Sequence, residues 1–219
     1  MAGGVTGAGA VLTVGVTGHR PNRLVLPPAA VKRRCLDALS AIAAGSRHCR
    51  KIAISALAEG ADRAFAEAAL TARFELHALL PFASHDYETT FSDPLGLPHY
   101  KALLRDTAGV EAMAGSLADA EEAYQALGQA LAERADMLVA VWDGAPGQGR
   151  GGTPEVIETA LAAGKPVIWI DAGGVAPRRL IVRDRREPGG RLAQLAHRAR
   201  LIGRRRLRDL TARLVAGWP

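Results

Sequence analysis

The sequence is short of aromatic residues, which fill 5% of its 219 positions, and it has only two cysteines, Cys35 and Cys49. A core with few rings must be built from aliphatic side chains, and the 48% hydrophobic share is mostly Ala, Leu, Val and Ile, enough for one α/β domain with an appendage. Two cysteines outside any ligand spacing give neither a disulfide framework nor a metal site, which fits a reducing, cytoplasmic location. No apolar run approaches the about 20 residues of a membrane span. Residues 1–10, rich in Gly and Ala, lack the basic start and cleavage site of a signal peptide and read as a flexible tail. Several motifs are missing as well. Without GxxxxGK[ST], GxGxxG after the first strand, GxSxG or HExxH, nothing points to an ATPase, an ordinary dinucleotide enzyme, a serine hydrolase or a zinc site; no cofactor and no metal are expected.

Charge is uneven. The chain carries 28 Lys and Arg against 22 Asp and Glu, a formal +6. Residues 178–213 alone hold 13 arginines against Asp184, Glu187 and Asp209, so the remainder has 15 basic and 19 acidic residues. The body is therefore mildly acidic and the tail basic, an arrangement that argues against the body as a nucleic-acid surface.

What is present is organised around residues 135–156, ADMLVAVWDGAPGQGRGGTPEV. The unbroken apolar run over 137–142 has the length of a strand and no face left for water, the mark of a strand buried on both sides of a parallel sheet. Asp143 follows at its carboxyl end, then a glycine-rich loop through Gly144, Gly147, Gly149, Arg150, Gly151 and Gly152. Thr153 is a good N-cap, Pro154 suits the first helical position, and Glu155 puts a carboxylate in the first turn. A strand, a glycine loop and a capped helix together present backbone N–H groups to an anion.

The same alternation runs through the chain. Strands are predicted over 11–16, 51–55, 74–80 and 166–170, and helices over 28–44, 63–72, 119–134 and 154–163, with a short helix over 99–106 and a weak strand over 109–114. The stretch 83–98, carrying Asp86, Tyr87, Phe91 and Asp93, reads as an irregular lid or binding segment. Tyr124, Leu127 and Leu131 form the apolar stripe of the helix over 119–134 and read as core. The fold class is α/β, a Rossmann-like three-layer sandwich with a mainly parallel sheet and helices on both faces, occupying residues 11–177. Residues 178–219 read as a basic helical tail or linker, with a further domain expected beyond Trp218-Pro219. In such sheets a ligand sits at the carboxyl ends of the strands. The chemistry-bearing loops all fall there: Thr17, Gly18, His19 and Arg20 after the first strand; Glu59, Gly60 and Asp62 after the second; and Asp143 with Arg150 through Glu155 after the fifth. Arginine offers a fixed fork of donors to a phosphate, and Glu59 or Asp62 suits ribose or base groups.

These segments resemble the SLOG superfamily, the Rossmann-like group that joins the DNA-processing protein A (Smf) proteins with the lonely-guy phosphoribohydrolases. The resemblance covers residues 11–171 and rests on VTGHR (16–20), SALAEGAD (55–62), LPF (80–82) and above all ADMLVAVWDG with GRGGTPEV (135–144, 149–156). It implies a phosphate site at Gly151, Gly152 and Thr153, with Gly18, His19 and Arg20 across the cleft and Glu59 and Asp62 on the base or ribose side. It also implies a homo-oligomer. The phosphoribohydrolases carry PGGxGTxxE, and Val156 stands where their glutamate would be; Glu155 is one step early, about 100° round the helix. The leading reading is a sensor that binds a nucleotide or nucleotide-derived signal. An alternative is cleavage of the glycosidic bond of a nucleoside monophosphate, with Glu155 or Glu59 as the catalytic carboxylate. A third is single-stranded DNA processing through the arginine tail.

Overall fold

The computed structural model describes residues 10–147, 151–175, 178–181, 200–201 and 203–216. In chain order its elements are β1 (Val11–Gly18), α1 (Pro28–Gly45), β2 (Arg50–Ser55), α2 (Ala61–Thr71), β3 (Glu75–Phe82), α3 (Ser84–Glu88), α4 (Gly96–Arg105), β4 (Gly109–Gly115), α5 (Ala120–Arg134), β5 (Met137–Trp142), α6 (Thr153–Ala162), β6 (Val167–Asp171), β7 (Arg179–Ile181), β8 (Arg200–Leu201) and α7 (Arg204–Ala216). The strands form one sheet in the order β4-β3-β2-β1-β5-β6-β7-β8. The first six pair in parallel, and β7 and β8 add antiparallel at one edge. Helices α1, α2 and α7 cover one face, and α5 and α6 the other. This is the expected three-layer Rossmann-like sandwich. No helix among the described residues is long and apolar enough to cross a membrane.

The central strands form where the sequence is continuously apolar. All six residues of β5 are buried. In α1, Val31, Cys35, Ala38, Leu39 and Ile42 recur at helical spacing and are buried against the sheet, while α2 packs through Ala61, Ala64, Phe65, Ala68 and Ala69. The small residues let these helices lie close, which is how a core with few rings reaches full density.

Three expectations change. Strand β1 continues past its apolar run to Gly18, because Thr17 and Gly18 still pair with Ala140 and Val141 of β5. The stretch 83–98 is not wholly irregular: α3 forms there and α4 begins at Gly96, held by edge-to-face contacts of Tyr87 with Phe82, Phe91 and Tyr100 at centroid distances of 5.7, 5.2 and 6.0 Å. The boundary at 177 does not divide the structure. β7 and β8 extend the sheet, and α7 packs on α1 through Leu207, fully buried, with Leu210, Leu214 and Val215 beside it.

Arg178 and Arg204 both pair with Asp37 of α1, and Arg205, Arg206, Arg208 and Arg213 face outward. Gly45, at the carboxyl end of α1, lies against the Arg208 carbonyl and Thr211 of α7. A methyl group at this position has no space. Gly45→Ala is expected to cost about 1–3 kcal/mol through this contact. Amide exchange should accelerate in α7 while the protection of β1 and β5 is unchanged.

Candidate functional site

Strand order reverses between β1 and β5, so the loops leaving these neighbours diverge to opposite faces and open a crevice. Gly18 pairs with Val141, and the His19 N–H donates to the Val141 carbonyl at 3.1 Å, which fixes the start of the loop. A cleft of about 330 Å³ lies here. Thr17, Gly18, His19 and Arg20 line one wall, Gly151, Gly152 and Thr153 the other, and Asp62 of α2 is also exposed to it. A side chain at Gly18 would run into the Ala61 methyl group, so β1 and α2 approach closely only because this residue is glycine.

Gly152, not Thr153, is the N-cap of α6. Its backbone is extended (φ −75°, ψ 164°), and its carbonyl accepts the Glu155 N–H at 3.0 Å, which shifts the helix start by one residue. Thr153 and Pro154 then occupy the first turn, with the positive end of the helix dipole toward the cleft.

At the rim, Asp143 receives a forked contact from Arg23, Nε at 3.1 Å and Nη2 at 2.6 Å, and its Oδ1 lies 2.9 Å from Nε2 of His19. Burial works against ionisation of Asp143, but the Ala145 N–H, His19 and Arg23 outweigh it and hold the pKa at about 2. Its stabilising effect is thus present above about pH 4 and is lost as pH falls toward 2. Burial pushes the His19 imidazole below its ordinary pKa, against the pull of Asp143. The neutral ring either donates from Nε2 to this carboxylate or accepts the Asp143 N–H at 3.2 Å.

Asp62 is 7% exposed. Burial raises its pKa to about 7, against the N–H groups of Ala58 and Ala56 and the charges of Arg20 and Arg63. The loop between β2 and α2 is bent to supply those donors: Leu57 has φ +57°, and the Ser55 hydroxyl accepts the Leu57 N–H at 3.1 Å. Between pH 4 and 7 the folded protein therefore holds a proton here that the unfolded chain has released, and stability falls as pH rises through this window. Asp62→Asn removes the titration. Urea unfolding at pH 8 should show the variant more stable by about 1 kcal/mol or more, with a flatter slope from pH 4 to 7.

Four of the expected residues do not line this cleft. Glu59 accepts the backbone N–H groups of Ser92, at 3.2 Å, and Asp93, at 3.0 Å, and so anchors the segment between α3 and α4. Glu155 accepts the Gly151 N–H at 2.7 Å and the Gln125 amide at 2.9 Å, which turns it into a small separate cavity between α5 and α6. Both carboxylates expected to be catalytic are thus committed to backbone and amide donors away from the cleft. Gly60 (φ +94°) shapes the loop, and Asp143 holds His19 and Arg23. Arg150 lies outside the described residues.

No protein-family model matches the chain, and no curated protein matches it. Among solved structures, a structural-genomics target, TM1055, is similar over 81% of this chain and 89% of its own, with 18% identity and a TM-score of 0.49. DNA processing protein A from Streptococcus pneumoniae is similar over 73% of this chain and 50% of its own, with 16% identity and a TM-score of 0.47. The same protein from Helicobacter pylori, whose structure is described for its single-stranded DNA binding mode, is similar over 73% of this chain and 65% of its own, with 16% identity and a TM-score of 0.49. The chain spans about half of the S. pneumoniae protein.

Two tyrosines stand in the cleft wall, Tyr87 from the stretch 83–98 read as a lid or binding segment and Tyr124 from a stripe read as core. Tyr124 of α5 holds Arg20, with Nη2 at 3.2 Å from its hydroxyl and the guanidinium 5.9 Å above its ring; Nη1 of the same arginine lies 3.4 Å from the Thr90 carbonyl. Tyr87 of α3 is fully buried in the aromatic cluster. A stripe at helical spacing reads the same whether its outer member faces a core or a cleft, so the sequence held no separate signal for Tyr124.

Proposed function

We propose that this chain binds a nucleotide or nucleotide-derived ligand at the carboxyl ends of β1 and β5. The phosphate would sit at the Gly151-Gly152-Thr153 turn and the start of α6. Gly18, His19 and Arg20 would face it. The observation that carries this reading is the joint lining of one cleft by the β1 loop and the amino end of α6, two walls that together offer backbone N–H groups, a helix dipole and an arginine fork to one anion. Calorimetric titration with AMP, GMP and CMP, with inorganic phosphate as competitor, tests it. Binding that phosphate displaces is the expected result, and no heat with any member would dispose of the reading.

A second reading is favoured by Asp62. A carboxyl in the cleft with a pKa near neutral is suited to general acid or base work, whereas Glu59 and Glu155 are engaged elsewhere. If the chain cleaves the glycosidic bond of a nucleoside monophosphate, Asp62 is the group to carry the proton. Incubation with AMP would then release free adenine, and Asp62→Asn would stop that release.

A further inference from the structure

One polar group in the cleft wall has no partner. Tyr87 lines the cleft, none of its surface reaches solvent, and its hydroxyl makes no hydrogen bond among the described residues. A buried hydroxyl without a partner forfeits the hydrogen bonds it would make to water, a cost that a folded protein rarely leaves standing. Beside it in the same cleft is the Asp62 carboxyl, close enough to act electrostatically on the phenol; burial first and this charge second push the Tyr87 pKa well above its ordinary value. The phenol is therefore a proton donor at every working pH. Arg20 acts electrostatically on both groups and Tyr124 on the phenol, while Ala56 and Leu127 are among the apolar members of the same lining.

We propose that the Tyr87 hydroxyl and the Asp62 carboxyl together read the hydroxyl groups of a phosphorylated sugar, so that the ligand is a ribonucleotide or its sugar phosphate rather than a sugar lacking those hydroxyls. The assignment follows from what each group needs. At pH 8, above the Asp62 pKa of about 7, the carboxylate is mostly ionised and accepts only, and beside it a second anion would be repelled, so the phosphate belongs at the α6 end. The phenol O–H seeks an acceptor. A neutral alcohol donates to the first and accepts from the second through one oxygen, whereas a ring nitrogen serves only one of them. This inference rests on the nucleotide reading above, which supplies the phosphate contact.

The experiment is calorimetry on the full chain with AMP, 2′,3′-dideoxy-AMP, ribose 5-phosphate and inorganic phosphate, repeated on Tyr87→Phe. For the parent, AMP is expected to bind about 10-fold or more tightly than the dideoxy compound, and ribose 5-phosphate about 10-fold more tightly than phosphate. In Tyr87→Phe the first ratio should fall to about 3-fold or less, and because the variant no longer buries an unpaired hydroxyl its unliganded Tm should rise by a few degrees. A parent ratio near unity, or one that Tyr87→Phe leaves unchanged, overturns the assignment while leaving nucleotide binding intact. Absence of binding by all four compounds removes the nucleotide reading itself. The ligand-side comparison needs no variant, so it stands even if Tyr87→Phe folds poorly.

Discussion

Gly152→Asp is expected to weaken the proposed nucleotide binding about 100-fold or more while slightly raising the stability of the protein. The position is the N-cap of α6, where the backbone is already extended and Asp is among the most favoured residues. Pro154 has no N–H and the Glu155 and Val156 N–H groups already donate to the Gly152 carbonyl, so the new carboxylate would act chiefly by its charge, favoured by the helix dipole and set where the ligand brings a negative charge of its own. Stability should change by a few tenths of a kcal/mol in the favourable direction. This opposite movement of affinity and stability separates a binding site from a merely structural turn. The readout is a pair of measurements on one sample, calorimetric affinity for AMP and the urea midpoint; affinity equal to the parent's would show that the amino end of α6 does not hold the phosphate.

Gly60→Ala is expected to produce the largest loss of stability, about 3 kcal/mol, or roughly 6–12 °C in Tm for a chain of this size. Gly60 has φ +94° and ψ −119°, a conformation that residues with a Cβ rarely adopt. An added methyl carbon would also lie 2.6 Å from the His19 carbonyl oxygen and 3.1 Å from Arg20 backbone atoms. That carbonyl accepts the Ala61 N–H at 3.1 Å, the bond that ties the β1 loop to the start of α2. The loop carrying His19 and Arg20 would have to move, so ligand affinity should fall along with Tm. Thermal unfolding with and without AMP measures both effects, and a variant with the parent's Tm would show that the loop has slack that the close contact at Gly60 denies.

Much of this was written in the sequence. The β5 run, the glycine loop and the α6 start could be read because each depends on local properties: an apolar run of strand length, residues that permit tight turns, and helix-start chemistry. The location of the cleft followed from alternating strands and helices. What the sequence withheld is direction. Glu155 points away from the cleft because the positive φ of Gly151 (+72°) carries its N–H back onto that carboxylate, and Gln125 of a different helix completes the contact. Glu59 in the loop after β2 and Asp62 in the first turn of α2 stand three residues apart, yet one is spent on Ser92 and Asp93 and the other is left in the cleft, a division that depends on where a distant segment packs. The short strands β7 and β8 were hidden because two or three residues carry no periodicity, and because the surrounding arginines read as solvated surface.

The reversal of strand order has a consequence for how the molecule comes apart. From β1 the chain runs outward through β2, β3 and β4 and returns by α5 to β5, so the cleft is a seam between an early and a late part of the sheet joined by the β1–β5 pair, with α7 packed on α1 across it on one face. The rim contact of His19 and Arg23 with Asp143 bridges this seam, as does the hold of Arg20 on Tyr124. Whatever occupies the cleft becomes a further stitch across it. Ligand occupancy then couples segments that lie far apart in the chain, and at 100 times its dissociation constant it adds about 2.7 kcal/mol against separation of the halves.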